Sequence, residues 1–353
     1  MHSTAVAIPV RDEAKRIGNC LAALSRQSTP ANHVVLLLNN CADNTAEVVR
    51  ALPVARHRLH VIECNLEGQS ASAGVARGLA MKHAASLVPE GAVLTTDADG
   101  EVPENWIEAN LRAIEQGADG VCGMAVIDPL EALFIPSHLH EDDAREVAYG
   151  RLLDEIASIL LPDPCDPWPR HTEDSGASIA IKTSMLRRVG GVPFLPTGED
   201  RGLIRMLRLI DARVRHDPEI RVTVSGRIEG RARGGMADTI RRRIVRQDEF
   251  VDDLIEPALA AFQRITMKRR FTLLWREPTE SRLHQLAKLL AVTPNAVVDA
   301  VRAPYFGLAW SRMEQASPLL RRRRVRFADL PREMKIAQRI HRHVSHSYSL
   351  STA

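Results

Sequence analysis

VLTTDADGEVPENW, residues 93–106, places two carboxylates one residue apart directly after an apolar run. Val93, Leu94 and the two threonines read as the end of a buried strand, so Asp97 and Asp99 stand where that strand opens into a loop. Alternate side chains leave a strand on the same side. A pair placed this way either caps the turn before Val102 and Pro103 or holds a hard cation. Mg2+ and Mn2+ favour oxygen ligands and commonly take one or two carboxylates plus substrate phosphates. A lone DxD does not choose between these readings; its surroundings must.

Those surroundings alternate β-like and α-like patterns. TAVAIPV (4–10), HVVLLLNN (33–40), LHVIECN (59–65), GAVLTTDAD (91–99) and ADGVCGMAVID (118–128) predict strands. Between them Ile17, Leu21 and Leu24 recur at helical spacing behind Asp12 and Glu13, and a second helix runs from about Asn44 through Val48 and Val49. SAGVARGLAMKHAASL (72–87) and ENWIEANLRAIEQG (104–117) predict two more. This order implies an α/β fold with a Rossmann-like, mostly parallel sheet covered by helices on both faces. In such sheets ligands bind at the carboxyl ends of the strands, where the polar clusters after strands one, two and four lie.

Farther along, residues 128–171 read as a surface insertion or acceptor loop with a helix near 141–161 and a Pro-rich end, LPDPCDPWPRH. GASIAIKTSMLRRVGGVP (176–193) returns to a strand and a short helix. GEDRGLIRMLRLIDA (198–212) is a helix with Leu203, Ile204, Leu207 and Ile210 on one face and Glu199 and Asp200 at its positive N-terminal end. Beyond about residue 236 the pattern is mainly helical, as in TPNAVVDAVR, with Thr293 as N-cap and Pro294 in the first turn.

Composition narrows the class. The 353 residues are 45% hydrophobic and 26% charged, as in a folded globular protein. No apolar run approaches the roughly 18 residues that cross a membrane. The opening MHSTAVAIPVRDE lacks a basic leader and turns acidic early, so no secretory signal is expected. Five scattered cysteines without a CxxC pair point to a reducing cytoplasm and away from a disulfide framework or zinc site. Charge is uneven: residues 1–230 hold 23 Lys/Arg and 32 Asp/Glu, a net −9, and residues 231–353 hold 24 and 12, a net +12. The basic half, with RRRRVR at 321–326, would face water, an anionic membrane or nucleic acid.

Taken in order, AIPVRDEAKRI (7–17), LLLNNCADNT (36–45), SAGVARGLAM (72–81), TTDADGEVPENW (95–106) and TGEDRGLIRML (197–207) resemble the family 2 glycosyltransferases, inverting enzymes of the GT-A fold. The resemblance runs from about residue 4 to 235. It implies a nucleotide-sugar-binding catalytic domain over 1–235, followed by a basic, mainly helical region of unknown role over 236–353. Pro9, Val10, Arg11 and Glu13 match the segment that embraces base and ribose, although Arg11 and Asp12 stand where the family commonly has aromatic and Asn residues. Asn39 stands where the family often has an Asp that reads the base. An amide both donates and accepts whereas an ionised Asp only accepts, so uracil is not implied. Arg77 matches an arginine near the nucleotide pocket, and Ser175 and Gly176 a small-residue segment lining the donor sugar. Asp97 would touch the ribose or the metal's shell, and Asp99 would ligate Mn2+ or Mg2+ bridging the diphosphate. Glu199 and Asp200 match the Glu-Asp pair whose Asp is the general base. SGRIEGRARGGM (225–236) offers Arg227, Arg231 and Arg233, whose guanidinium groups suit phosphate oxygens. His171 and His216 are weaker candidates for a further metal ligand.

The implied partners are a nucleoside-diphosphate-sugar and an acceptor with a free hydroxyl, either lipid-linked or a small molecule. The implied setting is the cytoplasm, with peripheral contact at the inner face of the membrane through the basic tail. Nucleic acid is not expected, since RRRRVRF carries one aromatic and the chain as a whole 4%. Each motif also has a plainer reading: helix N-termini for Glu13, Glu199 and Asp200, an Asn-rich turn for Asn39, a surface arginine for Arg77. Three alternatives stay open. A sugar-phosphate nucleotidyltransferase normally opens with a Gly-rich basic loop, and here no glycine follows strand one before Gly18. A retaining transferase would differ in product stereochemistry. A non-catalytic nucleotide-binding protein docking through its basic half would not need Asp99 and Asp200.

Overall fold

The computed structural model describes residues 3–52, 58–195, 197–228, 230, 235–245 and 248–352. The chain forms two compact units, residues 1–136, 173–207 and 212–245 in one and residues 137–172, 208–211 and 246–353 in the other.

The first unit is built on a seven-stranded sheet. In chain order its elements begin β1 (Thr4–Val10), α1 (Ile17–Ser25), β2 (His33–Asn39), α2 (Thr45–Ala51), β3 (Arg58–Cys64) and α3 (Ala73–Leu87). There follow β4 (Ala92–Thr95), α4 (Trp106–Glu115), β5 (Gly120–Ile127) and the single turn α5 (Pro129–Ala132). After α6 (Ser137–Leu160), which belongs to the second unit, come β6 (Ile179–Lys182), α7 (Thr183–Arg188), α8 (Glu199–Leu209), β7 (Val214–Val224) and α9 (Met236–Val245). The strand order is β3-β2-β1-β4-β6-β5-β7, and all neighbours are parallel except β6, which runs against both β4 and β5.

The expected α/β fold is present, and its cause is visible in the strands. Successive side chains face opposite sides of a sheet, so a strand buried on both faces is apolar throughout. In β1 and β2, Val6, Ile8, Val34 and Leu36 join Ile17, Leu24, Trp106 and Ile107 on one side. Ala5, Ala7, Val35 and Leu37 join Ala80, Met81, Leu203 and Leu207 on the other. Because β2, β1 and β4 are parallel neighbours, with Ala7 opposite Thr95, the loops leaving their carboxyl ends are adjacent. That adjacency builds the site.

Two stretches differ from the sequence reading. β7 was not expected; its apolar positions Val214, Ile220, Val222 and Val224 are interrupted by charges and Pro218. Such a strand is tolerated because β7 is the sheet edge, and its register with β5 shifts between Cys122 and Met124. The stretch read as an insertion, with its expected helix near 141–161, is largely α6, a helix of 24 residues from 137 to 160 that packs with the C-terminal helices.

The second unit adds α10 (Ala258–Arg276), α11 (Glu280–Leu290), α12 (Pro294–Val301), α13 (Phe306–Ala316) and α14 (Leu330–Thr352). Thr293 Oγ1 accepts from Ala296 N with Pro294 in the first turn, as its sequence reads. Phe271, Leu290, Val297 and Trp310 centre one core, and Tyr149, Ile156, Val251 and Ala337 a second. Between helices, buried Arg264 forks onto Glu256 at 2.6 and 2.7 Å and reaches Glu314 Oε1 at 2.7 Å and Leu320 O at 2.6 Å. None of the described helices is long and apolar enough to cross a membrane. Replacing Arg264 with Met would leave buried Glu256 with only the longer contact of Arg322 Nη1 at 3.4 Å, a loss of about 3 kcal/mol. Urea unfolding followed by tryptophan fluorescence should show a clearly lower midpoint for Arg264→Met; an unchanged midpoint would contradict the assignment.

Candidate active site

The loop after β1 is shaped by Asp12, which takes a left-handed conformation with φ 53°. That conformation is uncommon for a residue with a Cβ but is tolerated by Asp, whose carboxylate can satisfy nearby backbone donors. Here Oδ1 accepts from Ala42 N at 2.7 Å and Asp43 N at 3.3 Å. The turn carries Glu13 inward, where its N–H donates to Thr45 Oγ1 at 2.9 Å and its carboxylate is buried. Arg11 stays exposed. After β4, Gly100 N donates to Asp97 O at 3.1 Å, a tight turn that presents Asp97 and Asp99. Arg227, just past β7, joins the two loops. Its guanidinium donates to Glu13 at 2.8 and 2.5 Å and lies 3.0 Å from Asp99 Oδ2. Glu131 fixes the approach of that arginine by accepting from Ser225 Oγ at 2.8 Å, Gly226 N at 2.7 Å and Arg16 Nη1 at 2.7 Å.

Arg77 is the second junction. It projects from α3 and is 5% exposed. Nε donates to Glu199 Oε1 at 3.0 Å, Nη1 to Thr95 Oγ1 at 3.0 Å and Gly176 O at 2.8 Å, and Nη2 to Asp97 Oδ1 at 2.7 Å. A Cβ on residue 176 would lie 2.5 Å from the guanidinium carbon, so glycine is required for this approach. On the other side of that glycine, Gly176 N donates to Asp200 Oδ2 at 2.9 Å, while Asp200 Oδ1 takes Arg201 N at 2.8 Å. Asp97, just past β4, and Asp200, at the start of α8, are thus linked through three hydrogen bonds by way of Arg77 and Gly176.

The electrostatics follow from these contacts. Burial, then the charges of Asp97 and Glu13, push the Asp99 carboxyl up to about 6, against the opposing pull of Arg227. Burial would lower the pKa of Arg77, but Asp97 and Glu199 outweigh it and hold the group above the ordinary arginine range. Burial likewise opposes, and Glu13 and Asp99 restore, the charge on Arg227. Two guanidinium groups thus face four carboxylates, Glu13, Asp97, Asp99 and Glu199. The residues fit a hard divalent cation: the donors are carboxylate oxygens, and the charge in excess is two.

Of the residues proposed from sequence, Arg77, Asp97, Gly176, Glu199 and Asp200 are joined in one network and Glu13 and Asp99 in a second through Arg227, the two meeting where Asp97 and Asp99 share the loop after β4. Pro9 and Val10 close β1 beside it, and Ser175 precedes Gly176, with its Oγ accepting from Ala177 N at 3.3 Å. Asn39 ends β2 with its Oδ1 buried and without a hydrogen-bond partner. Arg231 and Arg233 lie outside the described residues. Sequence reasoning missed Thr95 and Glu131. The doubled threonine before the DxD was a signal for the first; Glu131, inside an apparent insertion, had none. His216 is buried against Asp174, 3.1 Å from its Oδ1, and Cys122 completes a group of possible ligands within 4.8 Å of one another. A second such group is Asp12, Cys41 and Asp43.

The mostly parallel sheet, its covering helices and the acidic loops at the strands' carboxyl ends have the GT-A type of architecture. Residues 5–167 match the model of the family described as Glycosyl transferase family 2, and that segment is a family 2 glycosyltransferase domain. No curated protein matches the chain. Among solved structures, TarS 1–349 of S. aureus in complex with UDP is 16% identical, with 99% of this chain and 92% of that chain covered and a TM-score of 0.45. Mannosyltransferase PcManGT from Pyrobaculum calidifontis, in complex with GDP-Man and Mn2+, is 19% identical over 89% and 85% of the two chains, with a TM-score of 0.45. Glucosyl-3-phosphoglycerate synthase from Mycobacterium tuberculosis, in complex with Mn2+, UDP and phosphoglyceric acid, is 14% identical over 71% and 82%, with a TM-score of 0.40.

The raised Asp99 gives a pH test. A carboxyl moved from 3.8 to about 6 holds in the fold a proton that the unfolded chain has already released. The stability it contributes is therefore present below about pH 4 and is lost as pH rises through about 6. Asp99→Asn cannot ionise, so in metal-free buffer it should be more stable than wild type by about 3 kcal/mol at pH 7, with the difference shrinking toward pH 4. Urea unfolding of both proteins at the two pH values checks this. A wild type that is the more stable at pH 7 would contradict it.

Proposed function

We propose that the chain transfers a sugar from a nucleoside-diphosphate-sugar to an acceptor hydroxyl, with inversion at the anomeric carbon and with a divalent cation, Mn2+ or Mg2+. The observation that supports this most strongly is the network through Arg77, which fixes Asp97 of the DxD and, through Gly176, Asp200 of the Glu-Asp pair in one rigid frame. The two halves of a single displacement need this arrangement: the leaving group at one end and the acceptor's proton at the other.

Asp99 would hold the cation, with Asp97 in its shell. Once bound, the cation would supply Lewis-acid stabilisation of the charge that develops on the departing diphosphate. Asp97 is oriented for that role by Arg77, and Arg227 brings a second positive group to the same loops. Glu13, at the end of β1, orients Arg227. Asp200 is half-buried, and its two oxygens are aligned by the N–H groups of Gly176 and Arg201. Each oxygen keeps a lone pair beyond that bond, so Asp200 would take the acceptor's proton as its oxygen attacks, an effect typically of 10²- to 10⁴-fold. Attack and departure on opposite faces of the sugar give inversion. Glu199, buried and bonded to Arg77, holds the N-terminus of α8 in place for its neighbour.

Asp200→Asn tests the base. It preserves shape and one acceptor oxygen, so donor binding should stay close to wild type while transfer falls by roughly 10²-fold or more. Single-turnover rates and donor affinity are measured with the donor that a screen of UDP- and GDP-sugars identifies. Near wild-type transfer would sink the assignment, and loss of both binding and transfer would move Asp200 into the donor pocket.

A further inference from the structure

The residue assigned here to a divalent cation already faces a cation. Arg227 Nη2 is 3.0 Å from Asp99 Oδ2, and the same guanidinium forks onto Glu13 at 2.5 and 2.8 Å. The three side chains are largely buried, at 20% exposure for Arg227, 17% for Asp99 and 6% for Glu13. A guanidinium is always charged, and its planar fork fits a carboxylate and a phosphate equally well. A divalent cation and a guanidinium placed on one carboxylate repel each other strongly at such distances. Arg227 can lose Asp99 without being lost from the site, because Glu13 holds it through two bonds and Glu131 anchors Ser225 and Gly226 before it.

We infer that Arg227 is an exchangeable counter-ion. It neutralises Asp99 while no metal is bound, yields that carboxylate when a divalent cation arrives, and turns the freed donors to the diphosphate that the cation brings. The inference rests on the proposed role of Asp99 as metal ligand. It makes Arg227 a competitor for the metal alone and a ligand for the diphosphate, so its removal acts in opposite directions on the two. No purely structural clasp would do this.

The test uses the full chain and two probes, Mn2+ alone and inorganic pyrophosphate in the presence of Mn2+. Binding of Mn2+ is read from loss of the electron paramagnetic resonance signal of the free ion, and pyrophosphate binding by calorimetry. Arg227→Gln should bind Mn2+ alone at least about tenfold more tightly than wild type and pyrophosphate at least about tenfold more weakly. Asp99→Asn should lose Mn2+ binding. Equal Mn2+ affinity in wild type and Arg227→Gln, with binding lost in Asp99→Asn, would overturn the exchange and leave the metal site standing. Mn2+ binding retained in Asp99→Asn would remove the metal ligand and the inference together. Weaker binding of both probes by Arg227→Gln would make Arg227 a clasp and also overturn the exchange. Should Arg227→Gln not fold, Arg227→Lys serves instead. It keeps the competing charge and loses the fork, so Mn2+ affinity should hold within about threefold while pyrophosphate affinity falls. A tenfold loss of Mn2+ affinity in Arg227→Lys would count against the exchange.

Discussion

The buried guanidinium of Arg77 is the constraint on which the site depends. It is bonded to four separate pieces of the chain: the end of β4, the turn at Asp97, the carbonyl of Gly176 and the start of α8. Burying such a charge is costly, and its two carboxylate partners do not make it a source of net stability. What it confers is geometry. Each partner is held in place because a displaced carboxylate would leave a charge unpaired in a poorly solvated place. The constraint extends to residues with no polar side chain: a Cβ on Gly74 would come within 2.9 Å of Glu199, and one on Gly176 would overlap Arg77 itself.

Around this fixed point the charge is deliberately unequal. Four carboxylates meet two guanidinium groups, and the strain of that excess falls on Asp99, which is pushed up to about 6 by burial, Asp97 and Glu13. A protein selected for stability alone would not keep an acid there. Active sites commonly carry such unfavourable placements because the missing charge arrives with the ligand. The same imbalance ties the loops after β1, β4 and β7 into one electrostatic unit, since Glu13, Asp99 and Arg227 each belong to a different one.

Much of this was legible in the sequence wherever the signal is local. Strands buried on both faces leave unbroken apolar runs, so β1, β2 and β4 could be read, and with them the loops at their ends. Asp97, Asp99, Glu199 and Asp200 stood out because paired acids at element ends are visible at short range. What could not be read depends on partners distant in the chain. β7 was hidden because an edge strand tolerates Pro218 and alternating charges. α6 was visible as a helix, but its packing with residues after 246 leaves no periodic mark. Arg77 looked like an arginine in a small-residue helix; that Gly176 and Glu199 approach it from about a hundred residues away is a property of the fold. Glu131 was missed for the same reason, its partners being Arg16, Ser225 and Gly226.

The central claim is that the loop after β4 is where metal and diphosphate meet. Crystals grown with Mn2+ and a nucleoside diphosphate, measured at the manganese absorption edge, test it most directly. The account predicts an anomalous peak against Asp99, with the diphosphate between that peak and Arg227. A peak at Cys122, Asp174 and His216, or at Asp12, Cys41 and Asp43, with none at Asp99, would contradict it.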